Sequence, residues 1–415
     1  MPDISPDPVS VDQHLARILA ATTPLRPVDH PIMDALGLAA AASVSSTVDL
    51  PPFDNSAMDG YAVRHADVVT ATAEHPVHLP VVGEIGAGNA QLRVLPPGTA
   101  AKIMTGAPVP EGADAVVPYE WTDRGAVQVR LDQSPSLGQH IRRAGGDVTR
   151  GDLLIEEGTV LGPRHLGLLA SVGRAAVSVR PRPRVVIVST GSELRDPGTP
   201  LGHDSIYDGN SYLLAASARR AGAIAYRVGI VPDEPKAFLD ALHDQLGRAD
   251  VVVTSGGVSM GDYDVVKEAL APLGSVWFGP VAMQPGKPQG FGAVGDDAVP
   301  IFTLPGNPVS SYISFELFVK PALRVMMGME PATRPQTSAR LTHAVTSPAG
   351  KRQFLRGDYD PTDRSVSPVG GPGSHLVGDL AAANALIVVP EDTTSAPAGT
   401  QVGVVLLDTG AGGEF

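Results

Sequence analysis

The chain has 415 residues, too many for one ordinary core, and its 43% hydrophobic and 18% charged residues describe a globular protein of several domains. A formal net charge of −13 argues against non-specific binding to nucleic acid or to an anionic membrane, so an anionic ligand must be held by a local cluster, by backbone amides or by a metal. There is no cysteine, which excludes disulfides and thiolate metal sites; any sulfur given to a soft metal must come from a ligand.

The opening MPDISPDPVSVDQ is acidic and proline-rich, unlike a secretory leader, and no apolar run reaches the ~18–20 residues needed to span a bilayer. A cytoplasmic protein with no membrane partner is expected. Residues 11–23 carry apolar side chains at helical spacing, and the Ala-rich residues 31–44 read as a second helical stretch. The character changes at Leu50-Pro51-Pro52-Phe53. Over residues 46–140, strand-like runs such as Val77–Val82 and Ala115–Tyr119 alternate with Gly/Pro turns, a β-rich module. Leu161–Ala170 reads as a helix beside a Val177–Val179 strand, so 141–181 is grouped with 1–45 as one discontinuous domain.

Residues 182–327 alternate strand and helix. Strands are expected at Arg184–Ser189, Ala223–Val231, Val251–Thr254 and Pro300–Leu304. Helices are expected at Asn210–Ala221, at Glu234–Gly247 opened by Asp233, at Asp264–Ala271, and at Val309–Met327 with a bend at Pro321. Such alternation means a mostly parallel sheet covered on both faces, with its functional edge at the carboxyl ends of the strands. In residues 328–415, strands at Gln353–Tyr359, Ala385–Val389 and Val402–Leu407 surround a Gly370–Gly373 loop and fit a small β-barrel. The fold class is thus multidomain α/β plus β: a three-layer parallel-sheet domain, a β-rich module, a discontinuous helical/β domain and a C-terminal barrel.

Three strand ends of the α/β segment carry polar glycine turns: Thr190-Gly191-Ser192-Glu193, Ser255-Gly256-Gly257 and Leu304-Pro305-Gly306-Asn307-Pro308. Any one is common as a cap, but three at equivalent ends of one sheet converge in space. Such loops expose backbone N–H groups to anions. No Walker P-loop is present, because Pro288 follows Gly286-Lys287. Glu193, Asp208, Asp233, Asp262 and Asp264 lie near these turns. Capping explains Asp208 and Asp233 as well as a role at Mg²⁺ does. Gln284-Pro285-Gly286-Lys287-Pro288 fixes one lysine in a rigid turn, suited as a point charge to an oxyanion.

Seven strings stand in order along the chain: DNSAMDGYA (54–62), KIMTGA (102–107), STGSEL (189–194), DGNS (208–211), TSGGVSMGDYD (254–264), QPGKP (284–288) and LPGNPVSS (304–311). Together they resemble the molybdopterin molybdenumtransferases of molybdenum-cofactor synthesis, whose eukaryotic relatives include the C-terminal domain of gephyrin. The resemblance implies a molybdopterin-binding α/β domain and an elongated homodimer. It implies a cleft shared between the α/β domain of one subunit and the β-rich module of the other. The reaction it implies is insertion of molybdenum from molybdate into adenylylated molybdopterin with Mg²⁺, releasing AMP, with a molybdopterin adenylyltransferase as protein partner.

By the same resemblance, Ser255, Gly256, Gly257 and Ser259 hold phosphate or pterin groups, with Asp208, Asn210, Ser211, Pro305, Asn307 and Pro308 in the substrate-binding set. Glu193, Asp233 and Asp264 organise Mg²⁺. Lys287, Ser310, Arg356 and Ser374 receive molybdate, and Asp59, Thr105 and Asp147 complete the cleft. Two departures stand out: many relatives have lysine where this chain has Gln284, and glutamate where it has Gly146. The competing readings are a molybdopterin adenylyltransferase, which the flanking β-rich modules disfavour, and a non-catalytic gephyrin-like scaffold, which the retained acids and Lys287 disfavour.

Overall fold

Four short β-branched runs build the central sheet of the computed structural model, which describes residues 7–88, 93–257 and 264–407. Ile224–Arg227, Arg184–Ser189, Val251–Ser255 and Val299–Leu304 lie side by side in that order and all run parallel. Alternate side chains of these strands serve opposite layers. Val185, Ile187, Val251 and Val253 pack with Leu214 and Ala218 of the Asn210–Arg220 helix and with Val309 and Ile313 of the Pro308–Ser314 helix. Val186, Val188 and Val252 face the other way, onto Phe238 and Leu242 of the Pro235–Leu246 helix and Val266 of the Val265–Leu270 helix. Two antiparallel strands, Pro288–Val294 and Val276–Pro280, extend the sheet; they are not in the sequence reading, because glycines and prolines break their apolar pattern.

The sequence reading of residues 31–44 as a helix is corrected. Only Ile32–Ala35 forms a 3₁₀ turn. Val28–Pro31 instead pairs antiparallel with Ala176–Val179, and Val44–Ser45 pairs with Leu153–Ile155. Long-range pairing here overrides the helical propensity of the alanines. The expected Ala223–Val231 strand contracts to Ile224–Arg227. Ahead of Pro321 the long helix does not break. It passes through a π-helical turn at Phe315–Val319 and resumes at Lys320–Met326, so the wider turn absorbs the missing proline N–H.

The β-rich module is a five-stranded sheet ordered Ala115–Pro118, Gly60–Val63, Ala100–Ile103, Val77–Ile85 and Gln128–Leu131. In the C-terminal module Arg352–Asp360, Ser365–Pro368, Thr337–Leu341, Gln401–Leu406 and Ala385–Val389 pair in a closed ring, a five-stranded barrel without free edges. Met283–Gln284 adds to it, pairing parallel with Arg352–Gln353, and so fastens the α/β domain to the barrel. Among the described residues no helix is long and apolar enough to cross a membrane.

The Val11–Ala21 helix, grouped by sequence with the split module, packs its Val11 and Ile18 into the α/β core. Ser10 and Gln13 close a capping box at its start. Its His14 is buried against the rings of Trp277 and Phe318, with centroids 5.1 and 4.7 Å away. Burial, aided by Arg17, lowers the His14 pKa to about 4. The unfolded chain therefore binds a proton that the fold excludes, and stability falls as pH drops from the ordinary histidine value towards 4. His14→Phe is expected to remove about 2 kcal/mol of that acid-side loss, read from urea unfolding at pH 7 and pH 4.5; an unchanged pH slope would contradict it.

Candidate active site

Parallel strands deliver their carboxyl ends to one edge, and three glycine-bearing turns meet there. Asn210, at the start of its helix, joins two of them: its amide donates to Ser255 Oγ at 2.8 Å and to the Gly306 carbonyl at 2.6 Å. The Gly256 N–H donates to the Leu304 carbonyl at 3.2 Å, and Thr190 N–H reaches the Ser255 carbonyl at 3.4 Å. Ser311 donates to the Pro305 carbonyl and lies 3.4 Å from Ser255 Oγ. Gly256 and Gly257 have φ of +99° and +66°, and a Cβ would stand 3.0 Å from the Thr190 carbonyl oxygen or 2.8 Å from Val266 Cγ2. Only glycine fits this approach.

Asp208 anchors the floor. It is 1% exposed, and its Oδ1 accepts from Ser189 Oγ at 3.2 Å and from the Ser211 N–H at 3.0 Å. Its Oδ2 has no hydrogen-bond partner among the described residues. Ser211 Oγ in turn accepts from Arg227 Nε at 2.8 Å, and the Arg227 guanidinium lies 3.5 Å from the Tyr212 ring centroid. Asp233 does not cap the helix after it. Its carboxylate accepts the Ser192 N–H at 2.8 Å, across from the exposed Glu193, because Pro235 opens that helix and Glu234 takes the cap position.

Among the described residues no three His, Asp or Glu side chains gather as a metal cage. The acids fit a different kind of binding. Magnesium keeps much of its water and is commonly held by one or two carboxylates and a substrate phosphate. Exposed Glu193 and Asp233 on adjoining turns, with half-buried Asp264 beyond Gly257, suit that arrangement. Ser259 and Asp262 lie outside the described residues.

Beside these turns is a cavity of about 340 Å³ lined by Gln284, Lys287, Pro305, Asn307, Ser310, Lys351 and Ser374, among others. The lysine turn is fixed from behind. Buried Gln289 donates to the Gly286 carbonyl at 2.7 Å and to Ser314 Oγ at 2.6 Å, and the Val281 N–H donates to the Lys287 carbonyl at 2.7 Å. Lys287, Ser310 and Ser374 therefore share a wall, as the sequence reading expects. Arg356 does not line the cavity. It is 3% exposed, donates to the carbonyls of Gly371 and Gly373, and faces Asp379 at 3.9 Å. Its guanidinium braces the loop that presents Ser374, whose carbonyl accepts the Val309 N–H at 3.1 Å.

A second group forms on the β-rich module. Exposed Asp59 accepts from the Thr105 N–H at 2.7 Å and from its hydroxyl at 2.8 Å, which holds the carboxyl below its usual range. Asp54 accepts from Arg143 and from the Ala144 N–H at 2.8 Å, drawing the 143–147 turn and exposed Asp147 to the same loop. No hydrogen bond or ion pair among the described residues links this group to the strand-end turns of the same chain. Sequence reasoning did not single out Asn210 as a cross-link, nor Gln289, Ser311 or Ser314 as supports. The serines recur at helical spacing in PVSSYIS, which is the signal that marks one polar face.

Residues 9–173 match the model of the MoeA N-terminal region (domain I and II), 186–325 that of the probable molybdopterin binding domain, and 338–407 that of the MoeA C-terminal region (domain IV). Molybdopterin molybdenumtransferase 2 of Mycobacterium tuberculosis is 46% identical over 95% of this chain and 98% of its own. The chain belongs to the molybdopterin molybdenumtransferase family. Molybdopterin molybdenumtransferase 1 of the same organism is 42% identical over 96% of this chain and 99% of its own. The crystal structure of the molybdopterin biosynthesis MoeA protein from Pyrococcus horikosii covers 97% of this chain and 100% of its own, with TM-score 0.85 and 32% identity. As a member of the molybdopterin molybdenumtransferases the chain is a transferase of molybdenum-cofactor biosynthesis.

Thr105→Val keeps the backbone donor to Asp59 and removes the hydroxyl, so the Asp59 pKa is expected to rise towards the ordinary carboxylate value. Carbon-detected NMR titration reads this directly. An Asp59 titration identical in both proteins would show that the hydroxyl has no effect on the acid.

Proposed function

We propose that this chain inserts molybdenum from molybdate into adenylylated molybdopterin, in the presence of Mg²⁺, and releases AMP and the finished cofactor. The observation that carries the reading is the adjoining of two sites: an anion-receiving edge of glycine turns and a lysine–serine cavity on the same strand ends. One receives a nucleotide phosphate, the other a tetrahedral oxyanion.

The residues divide the work by type. The Ser255–Gly257 turn orients the phosphates of the adenylylated pterin, with the Gly257 N–H as its backbone donor. Glu193, Asp233 and Asp264 are the side chains that would hold Mg²⁺, which when bound neutralises phosphoanhydride charge. Lys287 offers a fixed cation to molybdate, with Ser310 and Ser374 donating hydroxyls. Arg356 acts through the 371–374 loop. Since the adenylyl group is already a good leaving group, catalysis asks mainly for placement and charge neutralisation. The pterin dithiolene, not the protein, supplies sulfur to molybdenum, in keeping with a chain that has no cysteine.

Asp59, Thr105 and Asp147 come to this cleft from the β-rich module of a second subunit in this reading, since they sit apart from the strand-end turns of their own chain. A homodimer is therefore part of the proposal, as is a molybdopterin adenylyltransferase supplying the substrate.

The test is AMP release and reconstitution of a cofactor-free molybdoenzyme from purified protein, adenylylated molybdopterin, molybdate and Mg²⁺. Lys287→Ala is expected to lower kcat/KM for molybdate by about 10²-fold, and chelation of Mg²⁺ is expected to stop AMP release. Full cofactor formation by Asp264→Ala would contradict the acid assignment. Efficient adenylylation of molybdopterin from ATP would favour the adenylyltransferase instead.

A further inference from the structure

We propose that Glu316, Lys320 and Arg334 are positioning residues: they fix the angle between the α/β domain and the barrel, and with it the gap that receives the oxyanion, the second half resting on the function proposed above. The cavity takes one wall from each module, with Ser310 on the α/β side and Ser374 on the barrel side. Glu316 stands on the helical run that carries Ser310, inside the π-helical turn Phe315–Val319. Its carboxylate lies 3.4 Å from Lys320 Nζ and 3.4 Å from Arg334 Nε, and the Glu316 and Lys320 side chains are only 6% and 4% exposed. Arg334 then reaches across to the barrel. It donates to the Leu406 carbonyl and, at 3.2 Å, to the Leu407 carbonyl, which also accepts from Arg220 at 2.8 Å.

Adhesion between the two modules has another source. Phe354, Val388, Val405 and Leu407 of the barrel share one apolar core with Phe315 and Leu323 of the α/β domain. Such contact is strong but non-directional, so it does not set an angle. Strand pairing of Met283–Gln284 holds the barrel at Arg352–Asp360. The Arg334 clamp holds it at Gln401–Leu406, with Ala385–Val389 between the two, so rotation about either attachment is resisted by the other. The charged group is costly to bury. Burial, opposed by Glu316 and joined by Arg334 and Arg220, brings the Lys320 pKa down to about 8. Apolar side chains of similar volume would serve stability as well or better. What the ions add is direction, because a guanidinium bonds a carboxylate and two carbonyls together in one orientation only.

The experiment is electron–electron double resonance on the full-length protein, which has no cysteine of its own to label. Spin labels at Asp244→Cys, exposed on the Pro235–Leu246 helix, and at Ala398→Cys, exposed on the barrel, report the angle as a distance distribution once diluted with unlabelled protein. The combined variant Glu316→Leu, Lys320→Met, Arg334→Met is expected to melt at or above the parent temperature and yet to broaden that distribution. Its molybdate Kd, by calorimetry, should rise about tenfold, while AMP affinity with Mg²⁺ stays put, because the glycine turns belong to the α/β domain. Arg334→Lys keeps the charge but cannot span the carboxylate and both carbonyls; it should broaden the distribution too, and it decides the matter if the combined variant does not fold. A distribution as narrow as the parent's in a folded variant would overturn the role of these residues. Broadening with unchanged molybdate affinity would overturn their link to the gap. If the parent itself binds no molybdate, the functional reading fails, and the distances alone still decide the angle.

Discussion

The Asn210 amide is the constraint on which the site depends. A parallel sheet brings strand ends to one edge but does not bring their loops into register. One side chain at the head of a helix does so, donating to Ser255 on one turn and to the Gly306 carbonyl on another. Buried Asp208 holds the same helix start from below, through Ser189 and the Ser211 N–H. With those bonds made, the glycines at 256 and 257 can take conformations closed to other residues. The Gly256 N–H is held by the Leu304 carbonyl, which fixes the turn and leaves the Gly257 end of it towards a ligand.

The second wall is built by a different device. The turn at Pro285–Lys287 is pinned by Gln289 and Ser314 on the α/β side and by strand addition to the barrel on the other. A rigid cation costs less entropy to place than a mobile one, because its order is already supplied by the fold. Arg356 shows the same economy, since its buried guanidinium orders the 371–374 loop and leaves the serine of that loop to face the cavity. Two modules remote in sequence thereby share one pocket.

Much of this was legible in the residues and some was not. Val185–Val188 and Val251–Val253 declare buried parallel strands, and the glycine turns after them declare the edge. Pro288–Val294 and Val276–Pro280 do not declare themselves, because their glycines and prolines conceal strand periodicity. Ala-rich residues 38–41 read as helix, yet their backbone pairs with Thr159, Leu161 and Ser178, partners a local window does not contain. Sequence placed Lys287, Ser310 and Ser374 together, but a strand's period alone does not tell which of Lys351, Arg352 and Arg356 faces the ligand. In the fold Asp12 and Glu391 pair with Arg352 and Asp379 lies 3.9 Å from Arg356, whereas Lys351 lines the cavity.

Anomalous scattering at the molybdenum edge, from crystals soaked with molybdate, AMP and Mg²⁺, tests the central claim most directly. The account predicts one peak between Lys287, Ser310 and Ser374, with the nucleotide phosphate over Gly256 and Gly257. Molybdenum on another face of the molecule, or a nucleotide bound away from the Ser255 turn, would contradict it.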